Sequence, residues 1–263
     1  MPIPTPAAAL SETFLRTVDD AAPGLVEGLY LVGSVALDDF HDGASDVDFV
    51  AVTARRPDAD GLAALAAAHT AVRAAYPRPA FEGTHLTWAD LAGAPDDCAD
   101  APDSFAGEFH PASRFALSPV TWHELATAGV AVRGPQSSTV DVWTDWPALH
   151  AFTVDNLTSY WRGWHATYSA APETTPEQVT WAACWAVLGV SRLHRQMSFG
   201  GLATKCDGGG HALSAFGGRW HPLVVDALGI RAGHPSRYGP AEVLRRDTLD
   251  FLDMAVESGL ALG

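Results

Sequence analysis

Lysine is almost missing from this 263-residue chain, because Lys205 is the single lysine among 16 basic residues. Positive charge of any kind is scarce, and the formal net charge is -15 at pH 7. Proteins bind nucleic acid chiefly through basic contacts to phosphate, so a nucleic-acid partner is not expected. Arginine serves the other basic positions, which singles out Lys205 for attention.

Cysteine is also scarce, and long apolar runs are lacking. The three cysteines, Cys98, Cys184 and Cys206, lie far apart in the chain, which indicates neither a disulfide framework nor a metal knuckle. No run approaches the ~20 apolar residues that span a bilayer. The first residues lack the basic and apolar regions of a signal peptide. We therefore expect a cytoplasmic protein with no membrane partner.

The acidic charge is concentrated in the first half of the chain. Residues 1–140 carry 19 acidic and 7 basic side chains, whereas residues 141–263 carry 12 and 9. Such a field raises the local concentration of a cationic ligand. The alternative is that an acidic surface only aids solubility.

The spacing of apolar residues predicts two domains, divided in the turn-rich stretch before residue 146. The first, residues 1–140, is predicted to be α/β (α+β), and the second, residues 141–263, all-α. Predicted strands cover residues 28–33, 46–52, 80–88 and 130–135. Predicted helices cover residues 8–22, 60–76, 121–129, 147–169, 176–199, 220–229 and 240–259. Residues 96–111 have the composition of a loop.

Two short motifs at the first two predicted strands carry chemistry. Gly33 allows the backbone to approach a phosphate closely, and Ser34 offers a hydroxyl and an N–H where a short helix can start. Asp46 and Asp48 are two residues apart on a strand, so both carboxylates face the same side and can bind Mg²⁺. Ser45 can donate to a phosphate or to a neighbouring carboxylate.

Two surface aspartates at a turn are the simpler explanation of Asp-x-Asp alone. The ordered combination with Gly-Ser and an apolar strand indicates a nucleotide and metal site.

The segments 31–34 and 45–50 together resemble the polymerase-β-like nucleotidyltransferase superfamily. The resemblance implies a small mixed sheet and a third carboxylate on a later strand, a position that Glu82 matches. Glu82 would then be the general base for an acceptor hydroxyl, or a further metal ligand. The alternative is a strand residue that only faces solvent.

The segments 121–135 and 191–205 are similar to the streptomycin/spectinomycin adenylyltransferases, which have a C-terminal helical bundle domain. In that family a lysine after a glycine turn reaches the nucleotide phosphates, and Lys205 falls on its position. The alternative for Lys205 is a solvated surface charge. The resemblance implies an ATP- and Mg²⁺-dependent adenylyltransferase that modifies a hydroxyl of an aminoglycoside-type antibiotic, and hence antibiotic resistance. The alternatives are transfer to another small molecule, protein or RNA end, or a non-catalytic nucleotide-binding regulator.

The acceptor side departs from that family, because residues 181–187 lack the acidic side chains that bind the aminoglycoside there. Asp155, Glu173, Glu177 or the loop at residues 96–108 would have to hold a cationic acceptor instead. His110, beside that loop, is a further candidate for the acceptor pocket. His85 lies three residues after Glu82 and is not expected to share its face of the strand.

Overall fold

The computed structural model describes residues 2–171 and 175–263, which divide into two compact units, residues 1–145 and 146–263. The first unit is built around a mixed sheet, and the second is helical. The predicted fold class, an α+β domain followed by an all-α domain, is therefore confirmed. Across the described residues, every helix is too short or too polar to cross a lipid bilayer.

The first unit contains a sheet of six strands with the order β5-β4-β3-β2-β1-β6. Its strands are β1 (Gly28–Leu31), β2 (Val47–Thr53), β3 (Phe81–Thr87), β4 (Ala101–Phe105), β5 (Glu108–Ser113) and β6 (Val130–Arg133). Its helices are α1 (Thr5–Ala21), α2 (Gly33–Ala36), α3 (Ala59–Ala75), α4 (Trp88–Ala92) and α5 (Pro119–Ala128). Strands β2 and β3 are parallel, and the other neighbours are antiparallel.

The two faces of the sheet carry separate cores, because successive side chains on a strand point to opposite sides. Leu31 and Phe49 face the core that includes residues of α1 and α3. Tyr30 and Val50 face the other core, where Trp122 of α5 is fully buried. Asp48 shares the parity of Val50, so its carboxylate belongs to the face that α5 covers.

The prediction of a loop over residues 96–111 is wrong, because this stretch contains the hairpin of β4 and β5. Strand β4 pairs with the edge of β3, with Thr84 opposite Asp103, and β5 pairs with β4 in turn. Asp and Pro residues in the stretch obscure its strand pattern. Pairing with an existing sheet edge outweighs weak strand propensity, which depends strongly on context.

The second unit consists of helices around one apolar core that is filled largely from α8, α10 and α11. Its helices are α6 (Trp146–Asn156), α7 (Arg162–Ala170), α8 (Pro176–Phe199), α9 (Lys205–Ala215), α10 (His221–Arg231) and α11 (Ala241–Leu260). The predicted helix over 147–169 contains a π-helical turn at Leu157–Trp161, between α6 and α7.

Helix α9 was not predicted, because three consecutive glycines at 208–210 disfavour a helix. It begins with a capping box in which the Thr204 side chain and the Asp207 side chain each accept a backbone N–H. A Cβ on Gly208 would lie 2.4 Å from the Arg192 backbone nitrogen of α8. Gly208 therefore allows α9 to pack closely on α8, and this packing compensates for the low helix propensity of the glycines.

Candidate active site

The three carboxylates proposed from the sequence gather at one end of β2 and β3. Asp48 and Glu82 are register partners on these parallel strands. Their side chains therefore point to the same face of the sheet from neighbouring strands ~4.8 Å apart. Asp46 directly precedes β2, and its Oδ1 accepts a hydrogen bond from the Ala80 N–H at 3.1 Å. The charge of Asp46 also acts on Glu82. The fold thus places all three acidic groups in one small region.

The surroundings of Glu82 raise its pKa above the ordinary value for glutamate. Burial is the largest cause, and the charges of Asp46 and Asp103 raise the pKa further. The Ala106 N–H donates to Glu82 Oε1 at 2.9 Å and opposes this shift, since it stabilises the charged form. A carboxylate with a raised pKa is a stronger proton acceptor than an exposed glutamate.

Gly33 packs directly against the Asp48 carboxylate. Its φ is +58°, and a Cβ at this position would lie only 2.3 Å from Asp48 Oδ2. Glycine is therefore required here on both backbone and steric grounds. The next residue, Ser34, has its Oγ shielded from solvent, and no group in the described part of the chain hydrogen-bonds it. Gly33 of the Gly-Ser motif therefore lies directly against Asp48 of the Asp-x-Asp motif.

Ser45 has a local contact in addition to its predicted role. Its Oγ accepts the His41 N–H at 3.0 Å, and its own N–H donates to the His41 carbonyl at 2.8 Å. These bonds close the turn that leads into Asp46 and β2. Phosphate binding by Ser45 stays a prediction.

Two further acidic residues lie next to these groups: Glu124, to which the sequence assigned no role, and Asp103, which belongs to the stretch 96–108 proposed to hold a cationic acceptor. Glu124 of α5 accepts the Gly33 N–H through Oε2 at 3.2 Å. Asp103 is 2% exposed and accepts from His110 Nδ1 at 2.7 Å, and within the described residues its Oδ2 has no hydrogen-bond partner. No local spacing places Glu124 beside Gly33 or Asp103 near Glu82, because α5 and β4 approach the site only through tertiary packing.

His85 lies away from the carboxylates, as its position in the strand predicts. It is fully buried on the opposite face of the sheet, among phenylalanines. Its Nδ1–H donates to the Pro102 carbonyl at 3.1 Å, so its Nε2 accepts from His69 Nε2–H at 3.3 Å. His85 is therefore a core residue in this structure.

The remaining predicted residues belong to the second unit. Lys205 is the first residue of α9, and its Nζ lies 4.3 Å from the centre of the Trp185 ring, a cation–π contact. Asp155 lies on α6, and Glu177 is exposed in the first turn of α8. Glu173 lies outside the described residues. The roles of these four residues stay predictions.

The donors around Asp46 and Asp48 suit a hard divalent cation. Both offer carboxylate oxygens, the ligand type that Mg²⁺ prefers. Because residue 33 is glycine, there is space beside Asp48 Oδ2 that the Cβ of any other residue at this position would fill. The residues present therefore fit the magnesium ion that the sequence resemblance implies.

Comparison with known proteins supports the resemblance at the level of fold. No protein-family model matches the chain, and no curated protein matches it in sequence. Among solved structures, it is similar to the spectinomycin adenyltransferase AAD(9) from Enterococcus faecialis, solved with ATP and spectinomycin. The TM-score is 0.67 at 10% identity, over 95% of this chain and 98% of that one. The predicted resemblance is thereby confirmed in structure, and the chain has the fold of that nucleotidyltransferase.

Proposed function

We propose that this protein is an ATP- and Mg²⁺-dependent O-nucleotidyltransferase that adenylates a hydroxyl of an aminoglycoside-type antibiotic. The observation that carries the proposal is the grouping of Asp46, Asp48 and Glu82 beside the Gly33-Ser34 turn. The similar protein solved with ATP and spectinomycin supports ATP as co-substrate and an antibiotic as acceptor. The acidic first half suits a cationic acceptor.

Each group has a distinct task in this proposal. Asp46 and Asp48 would hold Mg²⁺, which supplies charge neutralisation at the reacting phosphate when bound. Gly33 would let the backbone approach the triphosphate closely, and Ser34, Ser45 and Lys205 would hold it through N–H, hydroxyl and ammonium groups.

Glu82 would accept the proton of the acceptor hydroxyl. The hydroxyl oxygen then forms a bond to the α-phosphorus of ATP, and the bond from that phosphorus to the bridging oxygen breaks. Pyrophosphate leaves with the electron pair of the broken bond. Burial and neighbouring negative charge at Glu82 favour this proton transfer.

The decisive experiment measures Mg²⁺-dependent pyrophosphate release from ATP with a panel of aminoglycosides, with mass spectrometry of the acceptor. We expect release with at least one acceptor, together with a mass gain of one nucleoside monophosphate. Asp48→Asn should lower the rate at least ~100-fold, because a metal ligand is lost. Asp60→Asn, the same change at an exposed position in α3, is the matched control.

Two outcomes would contradict the proposal. Full activity in Asp48→Asn would exclude this metal assignment. ATP binding with no release for any acceptor would favour a nucleotide-binding regulator of the same fold.

We further propose that the enzyme works in the cytoplasm, where ATP is available, and that it confers resistance by modifying the antibiotic. Expression in a susceptible bacterium should raise the inhibitory concentration of the modified aminoglycoside. The Asp48→Asn variant should leave that concentration at its starting value.

A further inference from the structure

The turn of the β4–β5 hairpin makes direct contact with Glu82. Phe105 and Glu108 are paired across the hairpin, so Ala106 and Gly107 form a two-residue turn between them. The Ala106 N–H donates to Glu82 Oε1 at 2.9 Å. A backbone donor from a neighbouring strand connection thereby holds the carboxylate proposed to accept the proton.

This turn adopts a conformation that is unusual for its sequence. Ala106 has φ +52° and Gly107 has φ +76°. Two positive φ values are typical of a type I′ turn, in which Asn or Gly is preferred at the first position and alanine is sterically disfavoured. Strained backbone conformations persist only when their surroundings hold them, and they are concentrated at functional sites.

Arg73 holds the turn from the helical side. It lies in the last turn of α3, its side chain is exposed, and its Nη1 donates to the Gly107 carbonyl at 2.7 Å. The contacts therefore run without a gap from Arg73 through Gly107 and Ala106 to the Glu82 carboxylate.

We propose that Arg73 and the Ala106-Gly107 turn are positioning residues for Glu82. The turn directs an N–H at Oε1, which restricts the rotamers of a long side chain, and Oε2 serves as the proton-accepting atom. Arg73 acts through the turn and contacts no substrate in this proposal. The inference rests on the proposed function, since positioning matters only if Glu82 takes a proton.

The first test compares Arg73→Met with Arg73→Lys, because methionine removes the donor and lysine retains one. Arg73→Met should lower kcat about tenfold and leave the KM for ATP unchanged. The reason is that the hydrogen bond from the Ala106 N–H to the Glu82 carboxylate is then held less firmly in place. Arg73→Lys should recover most of that loss. Arg55→Met, at another exposed arginine, is the control and should keep the full rate.

A double-mutant cycle separates positioning from a general structural effect. In the Glu82→Gln background, Arg73→Met should leave the residual rate unchanged, because the group that it positions is gone. An equal loss in both backgrounds would overturn the proposal. Thermal melting of each variant checks that the fold is kept.

A measurement without turnover distinguishes failure of this inference from failure of the proposed function. In an NMR spectrum of the nitrogen-15-labelled protein, the amide resonance of Ala106 should shift in Glu82→Gln and also in Arg73→Met. An unmoved resonance in Arg73→Met would overturn the positioning role even in an active enzyme. Resonances that shift as expected, without any adenylyl transfer, would instead show that the contact exists and that the proposed function fails.

Discussion

Asp48 and Glu82 are direct register partners on the parallel strands β2 and β3. The pairing brings together two carboxylates that are 34 positions apart in the sequence. Like charges at paired positions of neighbouring strands disfavour each other, and a bound cation or a proton on one of the two groups relieves the repulsion. This relationship underlies the metal and general-base assignments, and the following predictions test it and its surroundings.

Glu82→Gln should reduce kcat by about 10²–10⁴-fold, the usual contribution of general base catalysis. The KM for ATP should change little, because Glu82 is assigned to the acceptor hydroxyl. Steady-state kinetics with saturating acceptor would measure both constants. A rise in the KM for ATP with kcat unchanged would instead assign Glu82 to nucleotide or metal binding.

Gly33→Ala should destabilise the fold and reduce activity, because the new Cβ would lie 2.3 Å from Asp48 Oδ2 at a φ of +58°. Gly43→Ala is the matched control, since its φ is +77° but nothing lies within 4 Å of the added Cβ. The control should lose ~1–2 kcal/mol of unfolding free energy from the backbone conformation alone. Urea unfolding should show a larger loss for Gly33→Ala, and equal losses would contradict the steric argument.

Glu124→Gln should lower the KM for ATP. The Glu124 carboxylate accepts the Gly33 N–H, next to the Ser34 hydroxyl and N–H that are proposed to bind a phosphate, and its charge repels the triphosphate. Glutamine keeps a hydrogen-bond acceptor but removes the charge. Kinetics at varied ATP would check this prediction, and a higher KM would mean that Glu124 itself contributes to binding.

Lys205→Met should raise the KM for ATP about tenfold, because a charge-assisted contact to phosphate is lost. Lys205→Arg keeps the positive charge and should retain part of the affinity. Isothermal titration with ATP would test the same effect without turnover. An unchanged affinity for ATP in Lys205→Met would contradict phosphate binding by Lys205. It would favour the alternative, a solvated surface charge in cation–π contact with Trp185.

The stability of the protein should fall as the pH is lowered from about 6.5 towards 4. Burial lowers the pKa of His85 and of His194 to about 4, so the unfolded chain binds protons in this range that the folded chain does not. Each such group reduces the unfolding free energy by at most about 1.4 kcal/mol per pH unit within the window. Urea unfolding at pH 7 and pH 5 would measure the loss. His194→Gln should show a smaller loss, and an equal loss would contradict the assignment.

The sequence by itself determined the local parts of the candidate site. Gly33-Ser34 after one strand and Asp46-Val47-Asp48 at the start of the next are short-range patterns. Their faces follow from the alternation of side chains on a strand. The apolar spacing also determined the fold class, because a sheet-forming half and a helical half have different periods.

Only the tertiary structure decided the contacts between distant segments. The β4–β5 hairpin forms because β3 offers it a partner edge, and helix α9 tolerates its glycines because Gly208 allows close packing on α8. Glu124 and the Ala106 N–H reach Gly33 and Glu82 through packing between elements that the local pattern does not relate. Register and packing are collective properties of the folded chain, so residues joined by them carry no signature in their own neighbourhood of the sequence.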